Sequence, residues 1–250
     1  MAYHGYIRFM KHFLQDVENP KILEIGVHSG QTMIPLIQHY TILRRPFKYA
    51  GVDVLLRDYL QVILQNLVLF EKQDIEFHQM TSLDYLKDCN EKYDLILLDG
   101  DHNYYTVIRE MEFIKGLLNT NGVIVCDDYA GKWAERDEFF SELPEYQDVS
   151  GMVKKEDIQD SDKHGVKTAI DEFLENNKEW VKTSFDERYE PILLYRNDEL
   201  TFVIDSTPGP DDTPSREVGW EKKGKVETPE EPDKPKGSTE IVWNTNARST

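Results

Sequence analysis

Residues 93–128, YDLILLDGDHNYYTVIREMEFIKGLLNTNGVIVCDD, read as strand, helix, strand. Tyr93-Asp94-Leu95-Ile96-Leu97-Leu98 is a short, nearly continuous apolar run, as expected of a strand buried on both faces of a parallel sheet. It ends in the polar turn Asp99-Gly100-Asp101-His102. A helix follows with Val107, Ile108, Met111, Ile114, Leu117 and Leu118 on one face. Asn119-Thr120-Asn121-Gly122 stops that helix, with Gly122 free to adopt positive φ. Val123-Ile124-Val125-Cys126 is a second buried strand, and it too ends in carboxylates, Asp127 and Asp128.

Two parallel strands joined through a helix become neighbours by a right-handed crossover. Their carboxyl ends then share one edge of the sheet, where open α/β sheets place their ligands. Asp99, His102, Asp127 and Asp128 are therefore expected to converge in one crevice. Three carboxylates and an imidazole point to a divalent metal and a base. The plainer alternative is that Asp99 and Asp101 only cap the helix while Asp127 and Asp128 face water.

A chain of 250 residues can bury one substantial core, so one main domain is the prior. A net charge of −18 argues against broad binding to nucleic acid or anionic membranes, which requires basic surface. Two cysteines, Cys89 and Cys126, make no disulfide framework, and a reducing, cytoplasmic setting fits them. Met1 to Lys11 lacks the long apolar core of a signal peptide. No apolar run approaches membrane-spanning length, so a soluble protein is expected.

Upstream, Tyr6 to Val17 forms an amphipathic helix ending at Asn19-Pro20. Lys21-Ile22-Leu23-Glu24-Ile25 is a strand that runs into Gly26-Val27-His28-Ser29-Gly30 and then a helix from Gln31 to His39. A glycine turn between strand and helix lets backbone N–H groups approach a ligand closely. A dinucleotide fingerprint needs G-x-G-x-x-G, whereas Gly26 and Gly30 stand four apart with Glu24 before them. This resembles the E-x-G-x-x-x-G loop of class I S-adenosylmethionine-dependent methyltransferases. The next strand, Phe47 to Val52, ends in Asp53, a carboxylate placed to accept both ribose hydroxyls of a nucleoside. The competing view is a surface Asp in a βα loop. Leu60 to Leu69 is a helix and Ile75 to Met80 a third strand. Thr81-Ser82 follows, where such methyltransferases contact the adenine; Ser82 equally suits an N-cap for Leu83 to Cys89. His78, alternating with Phe77, reads as structural.

Glu24-x-Gly26-x-x-x-Gly30, Asp53, Asp99-Gly100-Asp101-His102 and Asp127-Asp128-Tyr129 occur in the order and spacing of one branch of these enzymes. It is similar to the sugar O-methyltransferases that act on macrolide antibiotics, the macrocin and mycinamicin methyltransferases, over about residues 20–204. The resemblance implies magnesium bound by Asp99, Asp127 and Asp128, and His102 as general base; oxygen ligands by themselves suit magnesium, with manganese as second choice. It also implies a cofactor site drawn from Glu24, Gly26, Val27, Gly30, Asp53, Ser82 and Asp99. The macrolide enzymes carry larger additions that this chain lacks, so the resemblance carries the chemistry and not the macrolide. The chemistry has its own logic. An alcohol, with a pKa near roughly 15.7, is a poor nucleophile at neutral pH. A divalent cation stabilises the alkoxide, an imidazole takes the proton, and oxygen ligands suit magnesium.

Residues 129–165 are polar and charged, with Trp133, Phe139, Phe140 and Tyr146 interspersed. They are expected to hang over the carboxyl edge as a lid and acceptor-selecting segment. The alternative is a surface loop with a short Phe139-Phe140 helix. Gly165 to Leu174 reads as a helix. Trp180–Phe185, Pro191–Tyr195 and Leu200–Ile204 read as strands, the last two forming the antiparallel hairpin that closes such sheets. From Ser206 the composition shifts to six of the eleven prolines and little aliphatic periodicity.

The expectation is an α/β, Rossmann-like doubly wound fold with a mostly parallel sheet. Residues 1–205 form the domain and 206–250 a disordered tail. Its function is magnesium-dependent O-methylation of a hydroxyl on a sugar or other small polyol, with no nucleic-acid or membrane partner. Two rivals stand beside it: a metal-independent methyltransferase on another small acceptor, and a nucleotide-binding protein that kept the fold without turnover.

Overall fold

The computed structural model describes residues 3–67, 73–158, 162–184, 191–197, 202–205 and 219–222. The strands are β1 (Lys21–Ile25), β2 (Phe47–Asp53), β3 (Gln73–Gln79), β4 (Tyr93–Leu98), β5 (Leu118–Cys126), β6 (Trp180–Ser184) and β7 (Ile192–Arg196). They form one sheet in the order β3-β2-β1-β4-β5-β7-β6. The first five are parallel, and β7 runs antiparallel between β5 and β6. The helices are α1 (Tyr3–Phe13), α2 (Met33–Leu43), α3 (Asp58–Leu67), α4 (Ser82–Asp88), α5 (Tyr104–Ile114) and α6 (Gly165–Asn176).

Each central strand supplies alternate residues to opposite faces, which is why the runs read as continuously apolar. Leu23 and Ile25, Ile96 and Leu98, and Ile124 and Cys126 pack with Leu86, Met111, Ile114, Ile170 and Phe173 beneath α4, α5 and α6. Ile22, Leu95 and Leu97, and Val123 and Val125 pack with Met10, Leu14, Met33, Leu36, Ile37, Tyr40 and Leu60 beneath α1, α2 and α3. The chain leaves β1 toward β2 and β3, then returns to lay β4 on its other side. The switch point of the sheet therefore lies between β1 and β4.

The closing pair differs from the expected one. The sheet is closed by β6 and β7, paired Trp180↔Arg196 through Ser184↔Ile192. Among the described residues, 191–195 does not pair with 202–204. Instead β8 (Phe202–Asp205) pairs antiparallel with β9 (Gly219–Lys222) in a separate two-stranded sheet. Thus part of the expected tail forms a strand; the remainder of 206–250, with the Leu200 start of the predicted third strand, lies outside the described residues. The α5–β5 connection also differs. Positive φ falls on Asn121 (φ 62°), not Gly122. Gly122 serves by having no side chain, since a Cβ there would stand 3.0 Å from the Asn119 carbonyl and 3.2 Å from that of Asp94. Among the described residues, no helix is long and apolar enough to cross a membrane, and Cys89 and Cys126 are free.

Candidate active site

The neighbouring ends of β1 and β4 create the site. Ile25 accepts the Asp99 N–H at 2.9 Å and Val52 accepts the Gly26 N–H at 2.9 Å. Gly26 adopts φ +87°, and a Cβ on it would lie 1.8 Å from the Asp99 carbonyl oxygen. Only glycine lets the two turns approach this closely. Gly30 (φ +71°) instead faces Leu60, and it is the one predicted cofactor residue that does not line the adjoining cavity. Its role is to close the turn, through its N–H to the Val27 carbonyl at 2.7 Å.

That cavity, of about 340 Å³, is lined by Glu24, Gly26, Val27, Asp53, Ser82 and Asp99, all predicted, together with Asp101 and His102. Its size falls in the small-molecule range. Asp53 accepts the His28 N–H on Oδ2 at 2.6 Å and the Leu55 N–H on Oδ1 at 2.9 Å. Each carboxylate oxygen keeps a further lone pair for a donor in the cavity. Glu24 is buried beneath the glycine turn, where it accepts the Tyr49 hydroxyl. Burial, with Asp99 and Asp53 nearby, raises its pKa well above the carboxylate range despite that bond. Ser82 lines the cavity but does not cap α4. Thr81 does, its side chain accepting the Asp84 N–H at 3.2 Å.

At the carboxyl edge, Asp99, His102 and Asp128 come together, with ligand-type atoms of all three within 4.8 Å of one another. His102 Nε2 lies 2.9 Å from Asp128 Oδ2 and 3.8 Å from Asp99 Oδ1. Asp128 reaches this position through a left-handed backbone (φ 54°), a conformation Asp tolerates better than most residues. Despite these distances, neither ring nitrogen of His102 has an aligned hydrogen-bond partner among the described residues. Asp127 stands outside that tight set. Its Oδ1 accepts the Asp128 N–H at 2.9 Å. Burial, then the charges of Asp99 and Asp128, push its carboxyl up to about 7. Asp99 is raised too, by burial first and by Asp128 against the easing effect of His102. Burial pulls His102 down, but Asp128 and Asp99 outweigh it and bring the imidazole up to about 10. Oxygen-rich, mutually repelling and partly dehydrated, this donor set fits a hard divalent cation.

Asp101 does not cap α5 and is not one of the three converging groups. Asn103 is the N-cap, its side chain accepting the Thr106 N–H at 2.8 Å. Asp101 Oδ2 accepts Asn103 Nδ2 at 2.6 Å and Thr106 Oγ1 at 3.0 Å, which fixes the turn carrying His102. Burial raises its carboxyl to about 6.

The segment after β5 roofs the cavity through Glu138, Phe140, Leu143, Glu145, Tyr146 and Met152. Phe140–Glu142 forms one 3-10 turn. The Phe140 ring stands edge-on to His102 at 5.1 Å and stacks on Tyr146 at 5.5 Å. The Trp133 ring lies 6.0 Å from His102, nearly parallel to it. Arg57 pairs with Glu145 at 3.1 Å, tying the roof to the start of α3. Asp137 anchors the root of the segment. Its Oδ1 accepts both the Tyr104 and Gly165 N–H groups at 2.8 Å, at the amino ends of α5 and α6. Neither Asp137 nor Glu138 was legible as a functional residue, because their partners lie about 30 residues away with no periodicity between them.

Residues 23–129 match the model of a family described as a methyltransferase domain. No curated protein matches the chain. Among solved structures, the chain is similar to the apo form of CalS11, a TDP-rhamnose 3'-O-methyltransferase of calicheamicin biosynthesis. That likeness has a TM-score of 0.50 and 15% identity, covering 77% of this chain and 78% of that one. The S-adenosylhomocysteine-bound methyltransferase PaMTH1 of Podospora anserina gives 0.45 and 15%, over 77% and 78%. The matched domain ends one residue past Asp128 and so takes in the glycine turn, Asp53 and the whole Asp99–His102–Asp128 edge. With this match on this sheet, the chain carries a methyltransferase domain of the class I fold.

Proposed function

We propose that the chain methylates a hydroxyl of a sugar or other small polyol in a magnesium-dependent reaction, with His102 as general base. The observation that carries this reading is the meeting of His102 with Asp99 and Asp128 beside the cavity that holds Asp53. Residues 1–205 are the catalytic unit, with 129–165 as lid and acceptor selector.

S-adenosylmethionine supplies an electrophilic sulfonium methyl. Asp53 would accept the ribose hydroxyls, and Gly26 and Val27 would let the backbone approach the cofactor beside Asp99. Asp99, Asp127 and Asp128 would hold magnesium. When bound, a divalent cation there supplies positive charge that acidifies a nearby hydroxyl and offsets the carboxylate field on His102. His102 then accepts the hydroxyl proton at Nε2, the nitrogen facing Asp99 and Asp128. Phe140, Tyr146 and the neighbouring roof keep water from the reacting groups.

The raised His102 pKa bears on the rival mechanism. An imidazole brought up to about 10 by its carboxylates holds its proton at neutral pH and is no base in that state. This favours, for conditions without a cation, a second reading in which the acids and His102 only orient the acceptor. Incubation with labelled S-adenosylmethionine, a panel of glycans and small polyols, and either magnesium or excess chelator separates the two. Transfer that needs magnesium supports the main reading, and full transfer in chelator supports the rival. Absence of transfer to every polyol in the panel, with S-adenosylmethionine bound, would remove the acceptor class.

A further inference from the structure

We propose that Glu138 is the positioning residue of the base, an acceptor for the Nδ1–H of His102 that, with Asp128 engaged by magnesium as proposed above and not by Nε2, leaves Nε2 to the acceptor hydroxyl. The inference rests on the reading of His102 as the base. Glu138 Oε2 lies 3.5 Å from His102 Nδ1, on the side of the ring away from Asp128. The two residues also pair through the backbone, as an isolated antiparallel bridge in which the Glu138 N–H donates to the His102 carbonyl at 3.1 Å. A neutral imidazole carries one proton, and the bond made by one nitrogen decides which role remains for the other.

The placement of Glu138 is fixed by its neighbours and not by a flexible loop. One residue before it, Asp137 bridges the amino ends of α5 and α6. Further back, the carbonyls of Trp133 and Ala134 accept the Val166 and Lys167 N–H groups at 3.0 and 2.9 Å. Gly165 fits against that turn only because it lacks a Cβ, which would lie 2.4 Å from the Ala134 carbonyl. After it, the Phe140 N–H reaches Asp101 Oδ1 at 3.4 Å. Trp133, Ala134 and Asp137 before Glu138, and Phe140 after it, are thus tied to the turn that bears His102 or to the helices flanking it. The side chain of Glu138 is 25% exposed and that of His102 15%, so the pair is shielded yet has room to shorten. A contact of 3.5 Å, out of line with the ring N–H, is of the kind that tightens when a site is loaded.

The test reads the ring directly. The full chain is labelled with 15N-histidine, loaded with magnesium and S-adenosylhomocysteine, and examined by long-range 1H–15N correlation at a pH where the ring is neutral. Loss of one signal set in H102Q assigns the resonances. The expected result is Nδ1–H in the parent, a shift toward Nε2–H in E138M, and retention of Nδ1–H in E138Q, whose amide oxygen still accepts. Glu138→Met keeps the side-chain length and the backbone pairing; if it fails to fold, E138A replaces it. A parent ring protonated at Nε2, or a tautomer unchanged in E138M and E138A, overturns the proposal. S-adenosylhomocysteine binding is followed in parallel by calorimetry. Its absence from the parent sinks the cofactor reading, whatever the tautomer. An Nδ1–H ring in a protein whose H102Q variant still turns over sinks the base reading while leaving the contact with Glu138 intact.

Discussion

Asp53 and His102 line the same cavity, and the proposed reaction gives them different work, so single substitutions separate binding from chemistry. Asp53→Ala should weaken S-adenosylhomocysteine binding by roughly 1.5–3 kcal/mol in calorimetry, the usual worth of hydrogen bonds to a charged group. Equal affinity in variant and parent would place the ribose elsewhere. His102→Ala should lower the maximal rate by roughly 10²–10⁴-fold while cofactor affinity stays put. A variant that turns over normally would strip His102 of the role. Asp127→Asn should raise the magnesium concentration needed for half-maximal rate far more than the cofactor concentration. Its carboxyl is already pushed up to about 7 by burial and by Asp99, so a nearby cation should be what keeps it ionised. At this scale the sequence was informative where a residue sits at the end of a strand. Glu24, Asp53, Asp99, His102 and Asp128 could each be located by counting from an apolar run. Thr81 and Asn103 took the capping roles that were the alternative reading of Ser82 and of Asp99 or Asp101, because neighbouring polar residues offer nearly equal caps and sequence does not rank them.

Secondary elements were legible in proportion to how fully they are buried. The β4 and β5 runs pack on both faces, so every inner position is apolar and the strand shows without ambiguity. Leu97 is fully buried between the sheet and the α1–α2–α3 layer, and Leu97→Ala should cost about 2–5 kcal/mol in denaturant unfolding. A loss below about 1 kcal/mol would mean the layer collapses onto the vacancy. The closing pair was misread because adjacency in sequence favoured joining 191–195 to 200–204. The actual partner of β7 is β6, and β7 also adds three pairs to β5 on its other side. A central strand wins its neighbours by burial on two edges, which a short hairpin signal does not encode. Asp137 belongs to this scale as well. Asp137→Ala removes an acceptor from the first turns of two helices at once, and should destabilise the fold by roughly 1–3 kcal/mol in chemical denaturation. A change within about 0.5 kcal/mol would show that water replaces the carboxylate at both ends.

The molecule as a whole carries a pH signature from its interior acids. Glu110 on α5 is completely buried, and neither carboxyl oxygen has an aligned hydrogen-bond partner among the described residues. Burial brings it up to about 8, with Ser82 close enough to ease the shift but out of line for a bond. The folded state therefore holds this proton more tightly than the unfolded chain, whose value is 4.5. Its stabilising contribution is complete below pH 4.5 and is lost as pH rises through about 8, with Asp101 and Asp127 acting in the same direction. Glu110→Gln should flatten unfolding free energy against pH across that window, by an increment on the order of a few kcal/mol in denaturant unfolding. A parallel curve in variant and parent would show that Glu110 ionises without cost. Convergence of Asp99 and Asp128 was legible at this scale, since right-handed crossover fixes it. The roof was not, because its contacts join residues separated by tens of positions and leave no repeat. The Asp137 clamp has an engineering consequence. It divides the stretch after β5 into a root that must be inherited with the base turn and a span beyond it, whose Phe140, Leu143, Glu145, Tyr146 and Met152 line the cavity. With this span as the acceptor selector proposed above, acceptor preference becomes a transplantable cassette. Chimeras spliced after Glu138 and before His164 should exchange substrates, whereas those spliced at Tyr129 should break the enzyme.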